Sequence, residues 1–172
     1  MDNASSNNLT IRFLTRTTKL WKGTILGHEF LHMRCCVHIL NLIVSDGLKD
    51  LESCIANVRH AVRYVRSSPN RLDTFKKYVE SLKIESKSLL CLDVPTLWNS
   101  TYLMLEAAEK FESAFQRMGE VNYNYKHYFL DNEGGERREM PTAEDWDNCR
   151  VFLKFLRMFY NATKRFSGSL FV

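Results

Sequence analysis

Between Asp50 and Val65 the apolar residues Leu51, Ile55, Val58, Val62 and Val65 follow one another at intervals of 4, 3, 4 and 3. That spacing sets one stripe of a helix against a core and leaves the other side to water, whereas a strand would need apolar residues at every second position. A helix is therefore predicted here, and Ser68-Pro69 breaks it, because the residue before a proline is driven out of the α region. Most of the remaining chain follows the same period. Leu9 to Lys22 carries Phe13, Leu14, Thr17, Leu20 and Trp21 on one face and stops at Gly23, as helices that end on a left-handed residue do. Arg71 to Leu82 aligns Leu72, Phe75, Val79 and Leu82. Asn99 or Ser100 can cap a further helix through Met118, with Met104, Ala108, Phe111, Phe115 and Met118 in line. Thr142-Ala143-Glu144-Asp145 has the form of a capping box with Asp in place of the usual Glu, and it opens a last helix that reaches Phe166 and ends at Gly168. Two stretches depart from the pattern. Thr24 to Cys36 alternates Phe30, His32 and Arg34 with Leu31, Met33 and Cys35, which suits a strand. Asn122 to Pro141 contains Asn132-Glu133-Gly134-Gly135-Glu136 and is expected to be a flexible surface loop.

A chain of 172 residues with 45% hydrophobic content is sufficient for one domain with a core. Its longest apolar run, Ile39 to Val44, is interrupted by Asn41 and is far short of the roughly 20 residues a membrane-spanning helix requires. The start, Met1-Asp2-Asn3-Ala4-Ser5, lacks the basic and apolar regions of a secretory signal. With five cysteines at irregular spacing (Cys35, Cys36, Cys54, Cys91, Cys149), a reducing compartment and buried thiols are expected rather than a disulfide framework. The net charge of +4 is mild, and its distribution is more telling than its sum. From Arg59 to Lys77 the cations Arg59, Arg63, Arg66, Arg71, Lys76 and Lys77 face Asp73 alone. Arg59, Arg63 and Arg66 share a helix face opposite Val58, Val62 and Val65, so they form either a stripe that follows a phosphate backbone or a solvated surface. Asp131 to Asp147 has the opposite sign, with seven acids outnumbering Arg137 and Arg138. That segment should keep clear of DNA.

Four blocks, Asp2 to Asn8, Arg34 to Val44, Asp93 to Tyr102 and Trp146 to Leu170, together resemble the hAT family of DNA transposases, in its plant-type form. The resemblance implies a mostly α chain with an α/β remnant: a partial RNase H-like fold with a helical insertion domain, cut from the middle of an enzyme. Its expected divisions are a remnant of the catalytic core over 1–48, a helical insertion region over 49–121, an acidic loop over 122–141, and over 142–172 an apolar helix leading toward the catalytic and dimerisation parts. Asp2 matches the second aspartate of the family's two-aspartate, one-glutamate set, and the partner carboxylates are expected outside the sequence. Mg²⁺ or Mn²⁺ would serve the intact enzyme and no cofactor is expected for this chain, since metal-assisted phosphoryl transfer needs several converging carboxylates. Read by itself, Asp2 is most easily a turn or helix-start residue whose side chain accepts backbone N–H bonds.

Cys35-x-x-His38 invites a zinc reading, yet His28 and His32 are the only further local ligands and match no ordinary finger. The resemblance makes this pair a fold marker beside the active site, with no metal of its own. Within Thr96-Leu97-Trp98-Asn99-Ser100-Thr101-Tyr102 the family usually has Arg where Leu97 stands, and its Trp, here Trp98, stacks on an extruded base. The alternative for Trp98 is burial against the following helix. The last helix carries Phe152, Phe155 and Phe159, which would be left without part of their cover. The resulting expectation is a nuclear, DNA-binding, transposase-derived chain without strand cleavage, with contacts at Trp98, Arg59, Arg63 and Arg66. Two further readings are a protein-interaction or oligomerisation module that self-associates through exposed apolar helix faces, and a nuclease completed in trans.

Overall fold

Apolar stripes become packed helices in the computed structural model, which describes residues 5–18, 36–130 and 138–166. In chain order these are α1 (Ser5–Thr18), α2 (Cys36–Lys49), α3 (Glu52–Arg66), α4 (Pro69–Ser81), α5 (Trp98–Glu109), α6 (Glu112–Val121), α7 (Tyr123–Leu130) and α8 (Ala143–Phe166). The described residues contain no strand. The fold is mostly α, as expected, while the strand expected at Thr24 to Cys36 falls outside the described residues except for Cys36, the first residue of α2.

The central helix is α3. Its predicted stripe is buried at Ile55, Val58, Val62 and Val65, and Cys54, Ala61 and Tyr64 widen it. Each large side chain of this kind contributes about 1.5–3 kcal/mol when removed from water. Helix α8 packs against α5, α3 and α2, while α4 bridges α3 and α6. Phe115 joins the two sides of the core, with its ring centroid 4.7 Å from Phe75 and 5.7 Å from Trp146. Phe152 is buried, and Phe155 and Phe159 are half-buried against the core.

Three differences from the sequence reading have identifiable physical causes. Ser68-Pro69 ends α3 and also starts α4: the Ser68 hydroxyl accepts the Arg71 N–H at 3.2 Å, and Pro69 occupies the first turn, where no N–H is needed. The single helix expected from Asn99 or Ser100 to Met118 is two helices. The chain turns at Lys110 and Phe111, where the Phe111 N–H donates to the Ala108 carbonyl at 2.9 Å and the Phe111 ring packs edge-on against Phe75. No proline or glycine marks that break; the packing of one aromatic ring does. The expected loop at Asn122 to Pro141 contains α7, opened by the Asn122 side chain accepting the Tyr125 N–H at 3.0 Å and held by buried Tyr125 and Phe129, one turn apart. Its Gly-Gly segment lies outside the described residues.

Helix α4 closes with the Ile84 N–H on the Val79 carbonyl and the Lys83 N–H on the Glu80 carbonyl, at 3.1 and 3.0 Å. This arrangement requires a left-handed residue, usually glycine, and Lys83 supplies it at φ 53°. The extended segment 84–93, anchored by buried Leu90, then leads through a turn at 94–97 into α5.

Candidate nucleic-acid interface

The Asp93 to Tyr102 block is a knot of hydrogen bonds around one buried carboxylate. Asp93 sits at the end of the extended segment with its side chain 2% exposed. It accepts the Arg59 fork at 2.9 Å on Oδ1 and at 3.0 and 2.8 Å on Oδ2, and it also accepts the Thr101 hydroxyl at 2.9 Å. A charge that far from water is tolerated only when paired and fully hydrogen-bonded. Ser100 accepts the Val94 N–H at 2.8 Å, pinning the turn that precedes α5. Trp98 then points inward, 3% exposed, and Tyr102 donates to Glu106 at 2.6 Å, with Arg157 reaching the same carboxylate at 3.2 Å. Burial would raise the Glu106 pKa, but the Tyr102 hydroxyl and the Arg157 guanidinium hold it below the usual value.

Two of the expected DNA contacts are thereby placed differently from the sequence reading. Arg59 is engaged by Asp93 across 34 positions of sequence, so it cannot extend a phosphate-following stripe without leaving a carboxylate buried and unpaired. Trp98 belongs to the core, beside a cleft of about 200 Å³ that Leu48, Ile55 and Pro95 also line. Its ring is almost wholly buried in this conformation. The neighbouring Leu97 is 55% exposed.

Arg63 and Arg66 do lie on the solvent side of α3. Neither forms an ion pair among the described residues, and exposed Lys77 on α4 also lacks one, whereas Arg150 is clamped by Glu109, Glu112 and Asp147. Asp2 and Cys35 lie outside the described residues, and His38 falls within the first turn of α2. No group of three His, Cys, Asp or Glu side chains converges among the described residues.

A second cleft, which sequence reasoning missed, opens where α3, α4, α6 and α7 meet. In the sequence Arg71 is one more cation of the basic stretch, and its neighbours on α7 fall in the expected loop. The signal that could have found it is the Tyr125 and Phe129 pair at helical spacing, which fixes His127 and Tyr128 on the same element.

The chain matches the family model of the ZBED1 RNase-like helical domain over residues 33–155, which includes α2 to α7 and half of α8. It belongs to that family. Within it the chain is 34% identical over 138 residues to the zinc finger BED domain-containing protein RICESLEEPER 2 of Oryza sativa subsp. japonica, covering 80% of this chain and 18% of that protein. It is 29% identical to a putative AC transposase of Zea mays, covering 98% of this chain and 20% of the relative. It is 32% identical over 119 residues to a putative AC9 transposase of Zea mays, covering 69% of this chain and 14% of the relative. These relatives make the ZBED1-type helical domain described above that of a hAT-type, transposase-derived chain. The chain spans a fifth or less of the length of each of them. No solved structure matches it significantly.

Proposed function

We propose that this chain is the DNA-contacting helical part of a transposase-derived nuclear protein, and that it does not cut or join DNA by itself. The observation that carries the reading is the sorting of the cations: Arg59, Arg150 and Arg157 are tied to carboxylates, while Arg63, Arg66 and Lys77 stay exposed and unpaired among the described residues. Unpaired surface guanidinium groups contact phosphate without sequence preference and release counterions as they do so. Lack of cleavage is supported by the need for several carboxylates to hold two metal ions. Asp2 is the one residue of this chain that resembles a member of that set.

Replacing Arg63 and Arg66 together with Gln should weaken duplex binding and flatten the log–log salt dependence by up to about two phosphate contacts, each worth a slope of roughly 0.9. An unchanged slope would reduce the pair to a solvated surface. Incubation with plasmid DNA and Mg²⁺ or Mn²⁺ should leave the DNA intact. Metal-dependent nicking that disappears in Asp2→Ala would reverse the non-catalytic part of the proposal.

A second reading, self-association, has its own observation. Val151 and Met158, two turns apart on α8, are 69% and 64% exposed and flank half-buried Phe155. These residues form an apolar strip on the outer face of the molecule.

A further inference from the structure

The cleft between α3, α4, α6 and α7 has a volume of about 360 Å³, and Tyr64, Asn70, Arg71, Asn124, His127 and Tyr128 form its working surface. That volume lies in the range of small-ligand sites, which begins near about 300 Å³. No carboxylate is among its lining residues. Arg71 is held in place without being neutralised: it donates to the Ser67 hydroxyl at 2.7 Å, and its guanidinium carbon lies 4.2 Å above the Tyr64 ring. Tyr64 is in turn fixed, 3% exposed, by Tyr125 and Tyr128 at centroid distances of 5.0 and 5.2 Å. A stacked, pre-oriented guanidinium with free N–H groups is suited to a phosphate oxygen pair. Around it, the exposed amides of Asn70 and Asn124 offer both donors and acceptors, as the edge of a nucleobase requires, His127 adds ring surface, and the Arg138 guanidinium lies 4.8 Å over the Tyr128 ring.

We propose that this cleft binds one unpaired nucleotide, with its phosphate on Arg71 and its base among Asn70, Asn124, His127 and Tyr128. The choice of a DNA strand as its source rests on the DNA-binding reading above; the nucleotide chemistry of the cleft does not. A base within a duplex is stacked and paired and cannot enter, so the site distinguishes single-stranded or extruded nucleotides from plain duplex.

The test uses the whole chain and four probes: a labelled single-stranded oligonucleotide, the matching duplex, a free deoxynucleoside monophosphate, and inorganic phosphate. Arg71→Gln removes the fork, and Asn124→Asp sets a negative charge at the mouth of the cleft from an exposed position, where folding is not at stake. Each should weaken single-strand binding by about tenfold or more while changing duplex binding by no more than about twofold. In nuclear magnetic resonance titrations the monophosphate should shift the His127, Asn124 and Arg71 side-chain signals more than inorganic phosphate does. If the monophosphate moves none of these signals, or if the parent binds single strands and both variants bind them equally well, the proposal is overturned. Arg63→Gln with Arg66→Gln separates the two readings. Loss of affinity there with indifference at Arg71 and Asn124 sinks the cleft alone. The reverse pattern, or monophosphate binding without any oligonucleotide binding, sinks the α3 stripe and leaves the cleft standing.

Discussion

Arg59 shows how a single side chain changes role between sequence and fold. On a helical wheel it belongs with Arg63 and Arg66; in space it neutralises Asp93, whose carboxylate is 2% exposed. Arg59→Ala should therefore destabilise the chain by about 3 kcal/mol or more, because a buried charge loses its partner, and urea unfolding will read this as a lowered midpoint with an unchanged slope. A midpoint that stays put would mean that water already solvates Asp93. Trp98 and Leu97, adjacent in sequence, should separate in the same way. Trp98→Ala removes a 3% exposed ring from the core and should cost about 3–5 kcal/mol in stability, seen as loss of helical circular dichroism at lower temperature. Leu97→Arg, at a 55% exposed position, should leave the melting curve unchanged and raise DNA affinity only if a phosphate passes within reach. A stable, normally folded Trp98→Ala chain would instead return that ring to a nucleic-acid role.

Among the elements, α8 depends on its first turn. Asp145 accepts the Thr142 N–H at 2.8 Å and the Asn57 amide at 3.2 Å, and its own N–H donates to the Thr142 hydroxyl at 3.2 Å, so the capping box also ties α8 to α3. Burial would raise the Asp145 pKa, but the Thr142 N–H, the Asn57 amide and the Thr142 hydroxyl outweigh it and hold the group below the ordinary 3.8. A carboxylate depressed on folding stabilises the native state fully above its unfolded value, and that contribution is lost as pH falls below 3.8 and through the lower folded value. Asp145→Asn should therefore flatten the acid limb of the thermal midpoint, and Thr142→Ala should cost about 1 kcal/mol at neutral pH. An acid limb as steep in Asp145→Asn as in the parent would assign acid sensitivity to other carboxylates. The capping box is legible in sequence because all its partners but Asn57 lie within four residues. The break between α5 and α6 is not, since it depends on Phe111 meeting Phe75, far away in the chain.

For the whole molecule, the self-association reading rests on the outer strip of α8, where Val151 and Met158 are exposed. Val151→Lys with Met158→Lys replaces two apolar side chains that make little contact with the core, so stability should change by less than about 0.5 kcal/mol. Sedimentation should then show a concentration-dependent oligomer in the parent and a monomer in the variant. A parent that is monomeric throughout would leave the strip as ordinary exposed apolar surface. No helix among the described residues is long and apolar enough to cross a membrane.

By itself the sequence determined the helical class, the positions of α3, α4 and α8, the capping box at Thr142 and the resemblance to the hAT transposases. These rest on periodicity, on turn chemistry within a few residues, and on short contiguous motifs. Tertiary structure alone decided which cations remain free. An arginine's availability depends on whether a carboxylate from elsewhere reaches it, as Asp93 reaches Arg59 and as Glu112 reaches Arg150 across 38 positions. It also decided that Trp98 faces inward and that Arg71, Asn124 and His127 share one cleft. Such convergence arises only when helices pack, because no local rule links residues on α4 to residues on α7.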